Sequence, residues 1–244
     1  MRACRRDART GWREPVSVVL ESDPALLRYA SDERSADWRF LLPHLPTGRA
    51  LCVGGALSPA PLALAGSCRD VTVVCDREEG DFLLARAHDS GVFNIAVAGI
   101  DEIPVARGEY DLVAALRSPF GHGAWRQHLR ALPGAVAAGG ILYLEVDEPA
   151  VVRPPMLLKD QLKRMGFTRA RLYWPKPTFQ RCEMLFPLGS RRLQKYYLDN
   201  QFYAMSPGRK ALRTLLRTAV AAGLFELTLP EYMVLARRLA AGTP

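Results

Sequence analysis

The chain reads as an α/β domain built on a mostly parallel sheet with helices on both faces, and three observations predict it. Short apolar runs of strand length recur along the chain: Ala50 to Val53, Val71 to Cys75, Leu112 to Leu116 and Ile141 to Val146. Most are apolar without alternation, the pattern of strands covered on both faces. Helix-length segments separate them, punctuated by Gly54-Gly55, Gly91, Gly139-Gly140 and Gly166.

The elements follow in order. Residues 1 to about 14 are basic and poor in apolar pattern, and are expected to be disordered. Residues 15–48 are expected to form a helical cap. Ser22-Asp23-Pro24 is an N-cap followed by proline in the first turn, and a second helix is predicted over Ser35 to Leu42, with Trp38, Leu41 and Leu42 on one side. The core is placed at residues 49–173. Within it, helices are predicted over Asp81 to His88, Trp125 to Leu132 and Met156 to Met165, and strands over Asn94 to Ala98 and Phe167 to Tyr173. Residues 174–228 break the rhythm. Trp174-Pro175-Lys176-Pro177 reads as a rigid turn, followed by an apolar stretch from Met184 to Leu188 and a helix from Pro207 to Ala222. A segment of this length before a last strand is expected to serve as a lid or substrate-binding insertion. Residues 229–244 hold the final strand, from Tyr232, and the tail.

Composition sets the class. With 244 residues, 49% hydrophobic and 24% charged, the chain fits one α/β core with extensions. No apolar run approaches the roughly 20 residues of a membrane span. The basic N-terminus lacks the apolar stretch of a secretory signal, so a cytoplasmic location is expected. Cys4, Cys52, Cys68, Cys75 and Cys182 have no CxxC or Cys/His spacing, so no disulfide framework and no metal site is expected. The net charge of +8 admits nucleic acid as a partner, but the arginines are spread from Arg2 to Arg238, and diffuse basicity is the favoured reading. The densest block is Arg191, Arg192 and Lys195 with Arg209, Lys210 and Arg213.

The stretch from Arg49 to Asp76 carries the most chemistry. Strand, glycine turn, helix, strand and terminal acid is the layout of a nucleotide-binding βαβ unit. Gly54 and Gly55 let backbone approach a ligand, and Asp76 can accept both hydrogen bonds of a ribose diol. The bland alternatives are a tight turn at Gly54-Gly55 and a helix N-cap at Asp76.

In order and spacing the segments resemble a class I S-adenosylmethionine-dependent methyltransferase. That family's first motif reads apolar, apolar, acid, apolar, Gly-x-Gly-x-Gly. The matching run here is Ala50-Leu51-Cys52-Val53-Gly54-Gly55-Ala56-Leu57-Ser58, with Cys52 for the acid and Ala56 and Ser58 for two glycines. Asp76 matches the ribose-binding acid. Ile100-Asp101 before Ile103-Pro104 resembles the acid facing the adenine and its following turn. Tyr110-Asp111-Leu112-Val113 resembles the lead-in to the fourth strand, Leu132-Pro133 to Gly140 the turn into the fifth, and Gly166-Phe167 the start of the sixth. The resemblance spans about Trp38 to Tyr173, and the strand near Tyr232 fits the family's reversed seventh.

The resemblance implies a Rossmann-like, seven-stranded, mostly parallel sheet and S-adenosyl-L-methionine as cofactor. The implied cofactor contacts are Gly54, Gly55, Ala56, Asp76, Arg77, Ile100 and Asp101. It implies methyl transfer to a small-molecule acceptor, a secondary metabolite or sugar-containing compound. A catalytically decayed scaffold and a nucleic-acid methyltransferase or binder are the alternatives. His122, in the loop after the fourth strand, stands where a base or substrate contact is placed, or is a solvated loop histidine. Tyr143 and Glu145 line the pocket or simply alternate along a strand. Trp174, Tyr197 and Tyr203 have three readings: a wall over the acceptor, the core of the insertion, or a homodimer contact.

Overall fold

The computed structural model describes residues 3–7, 11–16, 38–99, 108–116, 131–147, 149–176, 179, 182, 184–200 and 207–240. Ten strands and five helices are defined in this region. The strands are β1 (Ala3–Asp7), β2 (Gly11–Val16), β3 (Arg49–Val53), β4 (Asp70–Val74), β5 (Ile95–Ala98), β6 (Tyr110–Ala115), β7 (Val136–Val146), β8 (Phe167–Lys176), β9 (Met184–Pro187) and β10 (Tyr232–Arg238). The helices are α1 (Ala60–Ala65), α2 (Arg77–Asp89), α3 (Pro155–Arg164), α4 (Arg191–Asn200) and α5 (Pro207–Ala222), and a 3-10 turn covers Phe225–Thr228.

The main sheet has the order β5-β4-β3-β6-β7-β10-β8-β9. Strands β3 to β7 are parallel, and β10 runs antiparallel to both its neighbours. The chain reverses direction of travel at β3, going outward to β4 and β5 and then back across to β6. Such a switch point opens a crevice at the carboxyl ends of the central strands, where ligands of open α/β sheets bind.

Side-chain alternation splits the core into two faces. Leu51, Val53, Val113, Ala115, Leu142 and Leu144 pack on one side with Leu158 and Leu162 of α3, Leu198 of α4 and Val220 of α5. Ala50, Cys52, Val71, Val73, Leu112, Ala114 and Tyr143 pack on the other with Leu64 of α1, Leu83 of α2 and Trp38.

Three motif residues, Asp111, Gly139 and Gly140, prove to be structural at the opposite, amino-terminal ends of the strands. Asp111 accepts the Arg49 amide at 2.9 Å, and its carboxylate lies 1.8 Å from where a Gly48 Cβ would be. Only glycine leaves room for that carboxylate to tie β3 to β6. The Gly139-Gly140 pair serves the irregularity between the Tyr110–Val136 and Leu112–Ile141 pairings. Gly139 has φ +78°, and a Cβ on Gly140 would meet the Ala137 and Asp111 carbonyl oxygens at 2.9 and 3.0 Å.

The sheet departs from the sequence expectation in several places. It has eight strands where seven were expected. The extra strand is β9, taken from the segment read as a lid. Strand β8 continues through Trp174-Pro175-Lys176, read as a turn, and so outruns β10, whose last pairing on it is Met233 with Tyr173. β9 covers the other edge of β8, away from β10, pairing Phe186, Leu185 and Met184 with Trp174, Pro175 and Lys176. Pro175 is tolerated because it lies past β10, where the missing N–H breaks no bond on that side. The described part of the Ser35 to Leu42 segment is a 3-10 turn over 38–41, not an α-helix. β1 and β2 pair antiparallel where disorder was expected; backbone pairing does not need the apolar pattern that the segment lacks. Residues 131–135 are helical and run directly into β7, which starts at Val136 and not at Ile141.

Candidate functional site

The crevice is built at the ends of β3 and β4. Val53 pairs with Val74, and the Gly54 amide donates to the Val74 carbonyl at 2.8 Å. Gly54 and Gly55 then take φ values of +74° and +67°, which side-chain-bearing residues rarely adopt. They swing the loop across the strand ends. The loop closes through Ser58, whose hydroxyl donates to the Gly55 carbonyl at 2.7 Å and accepts from the Ala60 amide at 3.3 Å. A serine therefore replaces a glycine without an orphaned hydroxyl. Arg86 of α2 donates to the Leu57 carbonyl at 3.1 Å and anchors the far side of the loop.

Cys52 lies beneath the loop, fully buried, and burial pushes its thiol up to about 12. The neighbouring Cys68 adds a smaller push in the same direction. The loop thus has no buried negative charge at this position. Above it, a Cβ on Gly55 would meet Leu116 side-chain atoms at 2.7 Å, so this part of the glycine surface is covered by the chain itself.

Asp76 ends β4 and caps α2, its Oδ1 accepting the Glu79 amide at 2.8 Å. Acids belong in this first turn, where the helix dipole is positive. Asp76, Arg77, Asp81 and Leu84 border an open cleft of about 550 Å³ that runs along β5 from Phe93 and Ile95 to Gly99; no residue of the glycine turn lines it. That volume falls in the range of small-molecule sites, roughly 300–1,000 Å³.

Glu79 stands behind Asp76. It is buried, and its Oε2 has no hydrogen-bond partner among the described residues. Burial first, and the Asp76 charge second, push its carboxyl up from 4.5 to about 7. The folded chain therefore holds this proton more tightly than the unfolded chain. The resulting stability is complete below about 4.5 and is lost as pH rises through about 7. Glu79→Gln should accordingly gain stability over the wild type at pH 8 and much less at pH 5, read from urea midpoints at the two pH values.

A second polar group sits on β7. The Trp38 and Tyr143 rings stack with centroids 4.1 Å apart and planes 10° from parallel. The Tyr143 hydroxyl donates to Glu145 Oε1 at 2.9 Å, and both residues are buried. Burial, then the Glu145 charge, push the Tyr143 hydroxyl well above its ordinary range. Glu231 precedes β10, and its Oε1 accepts the Phe179 amide at 2.9 Å. The pairing of Tyr232 with Val146 sets Glu231 beside the end of β7, two positions beyond the Met233–Glu145 pair. Glu145 and Glu231 thus lie toward the carboxyl end of β7, with β6 between β7 and the strand that carries the glycine turn.

Solved structures share this fold. A phosphoethanolamine N-methyltransferase 2 from Haemonchus contortus, in complex with phosphomonomethylethanolamine and S-adenosylhomocysteine, aligns with a TM-score of 0.56 at 13% identity. The alignment covers 94% of this chain and 62% of that one, so the chain spans less than two thirds of that enzyme's length. The [4+2]-cyclase SpnF aligns with a TM-score of 0.52 at 15% identity over 86% of this chain and 82% of its own. The YcgJ protein from Bacillus subtilis gives 0.51 at 10% identity, over 85% and 99% of the two chains. No family model and no curated protein matches the sequence. The chain has the class I methyltransferase fold.

Within that fold the predicted residues separate. Gly54, Gly55, Ala56, Asp76 and Arg77 lie together at the carboxyl ends of β3 and β4. Ile100, Asp101, His122 and Tyr203 lie outside the described residues. Trp174 and Tyr197 do meet, with centroids 6.0 Å apart, but edge-on and against Phe225 and Phe186 in the core of the helical face. Together they hold Lys176, whose ammonium lies 3.7 Å from the Trp174 ring centre and 4.0 Å from that of Tyr197, and touches the Tyr197 hydroxyl. Burial lowers Lys176 to about 8. Of the basic block, Arg213, together with Arg217, is committed to Asp199. Among the described residues no helix is long and apolar enough to cross a membrane.

Glu79, Lys176 and Glu231 were not singled out from sequence. Glu79 was readable as an acid in the first turn after the Asp76 cap. Glu231 becomes visible only with the β7–β10 register in hand.

Proposed function

We propose that the crevice binds S-adenosyl-L-methionine and that the protein transfers its methyl group to a small-molecule acceptor. One observation carries the reading: Gly54-Gly55 in left-handed conformation and Asp76 stand abreast at the ends of paired strands, at the switch point of this sheet. The nucleoside end of the cofactor suits these residues. The backbone at Gly54-Gly55 admits close approach, and Asp76 has a second oxygen beyond the one that caps α2. The bound cofactor would supply an electrophilic methyl group. The chain's own task is then alignment of the acceptor, with a base needed only for a hydroxyl acceptor.

The residues fit the amino-acid end less well. Cys52 supplies no charge and Leu116 covers Gly55. These two features favour a second reading, a catalytically decayed relative that scaffolds a partner. That the fold also carries a protein described as a [4+2]-cyclase supports keeping the reaction open. Isothermal titration with S-adenosyl-L-methionine and S-adenosylhomocysteine separates the readings. Saturable binding at micromolar concentration is expected; no heat at millimolar ligand overturns the proposal and leaves the scaffold.

A further inference from the structure

We propose that a pocket at the opposite end of the sheet, lined by Arg169, Arg171 and Arg237, binds a small organic anion: a phosphate or carboxylate carried on a ring-sized apolar body. It is distinct from the crevice, because it lies at the beginnings of β7 and β8, whereas Gly54 and Asp76 lie at the other ends of the strands.

The pocket depends on a bulge. Leu235 pairs with Arg171 and Arg237 pairs with Thr168, so Arg169 and Ala170 together face Ala236. Arg169 takes φ +54°, the one side-chain-bearing residue with positive φ among the described residues. Glycine is the ordinary occupant of such a position, and a bulge re-aims its side chain. A strained arginine kept where glycine would relax points to a use for the guanidinium. Arg171 and Arg237 project to the same face, since their cross-strand partners Leu235 and Ile141 lie there.

The three arginines rim a cavity of about 170 Å³ whose floor is Leu41, Pro43, Ile141, Leu235 and Ala236. A cavity of about 150 Å³ in another protein accepts benzene, which sets the size of the apolar body. No carboxylate pairs with the three among the described residues, and Arg237 Nε donates to the Gly139 carbonyl at 3.1 Å. Three like charges around one cavity repel until an anion joins them, and guanidinium forks match the oxygens of phosphate and carboxylate. A flat basic surface would instead suit nucleic acid. Concavity and an apolar floor favour the small ligand.

The test uses the full chain, with phenyl phosphate, benzoate, inorganic phosphate and neutral benzyl alcohol as titrants, with and without S-adenosyl-L-methionine. Phenyl phosphate or benzoate is expected to bind at least about tenfold more tightly than inorganic phosphate or benzyl alcohol, whether or not the cofactor binds. Arg171→Ala, an exposed change, should weaken that binding about tenfold or more while melting temperature and cofactor titration stay as in the wild type. Arg169→Ala should weaken it likewise and serves should Arg171→Ala fail to fold. Equal binding by wild type and variants overturns the proposal. So does absence of binding at millimolar titrant, or binding confined to an oligonucleotide with a steep loss in salt.

Discussion

Cys52→Asp, which restores the acid that the class I family carries at this position, should destabilise the protein by about 3 kcal/mol or more. Cys52 is in the centre of the sheet, paired with Val73 on one side and Ala114 on the other, with no exposed surface. Its surroundings include Ala50, Ala56 and Leu64. The same burial that lifts the thiol to about 12 would act on a carboxyl, which would fold protonated or not at all. For a chain of this size a loss of that magnitude lowers the melting temperature by about 10 °C. Cys52→Ala, which removes one sulfur without adding charge, should cost about 1 kcal/mol and serves as the control. Denaturant unfolding of both variants, with and without saturating S-adenosyl-L-methionine, gives the reading. A Cys52→Asp protein as stable as the wild type would place the side chain against solvent or a ligand, contrary to the enclosure described above. A larger gain in stability with cofactor than the wild type shows would mean that the ligand's ammonium reaches the new carboxylate, since linkage stabilises every protein that binds.

How much of this was legible in the sequence depends on the range of the interaction that decides each element. Strands β3, β4, β6 and the second half of β7 are largely apolar runs of strand length, and need no partner to be recognised. Asp76 was legible twice over, as cap and as strand-end acid, because both roles are local. Strand β9 was not, since four residues become a strand only when the outer edge of β8, the one away from β10, is there to pair with. The Trp38 turn was read as a helix for the same reason: its register is set by stacking on Tyr143, more than a hundred residues away. Trp174 and Tyr197 were recognisable as an aromatic group. Which face they serve was not, because a period of two places Trp174 opposite Tyr173, and only pairing with β10 says which of them looks toward the helices. The bulge at Arg169 left no local mark at all, since the residue there is not a glycine.

The second large effect separates the observed cap at Asp76 from the proposed ribose contact. Asparagine caps a helix about as well as aspartate, so Asp76→Asn should leave stability within about 0.5 kcal/mol of the wild type. Its side chain has one acceptor oxygen, however, and the cap uses it on the Glu79 amide. A ribose diol would then meet an amide donor where it needs a charged acceptor. The loss of a charge-assisted pair amounts to about 1.5–3 kcal/mol, a fall of about 10-fold to 100-fold in cofactor affinity. Asp76→Ala loses the cap as well and should cost about 1 kcal/mol in stability besides the binding defect. Removing the Asp76 charge also relaxes its hold on Glu79, whose carboxyl should move down from about 7 in both variants. The pH dependence of unfolding would register that shift without any ligand. Titration of the three proteins with S-adenosyl-L-methionine then decides the matter. If Asp76→Asn binds as the wild type does, the carboxylate caps α2 and does nothing more, and the nucleoside must be held, if at all, by the glycine turn.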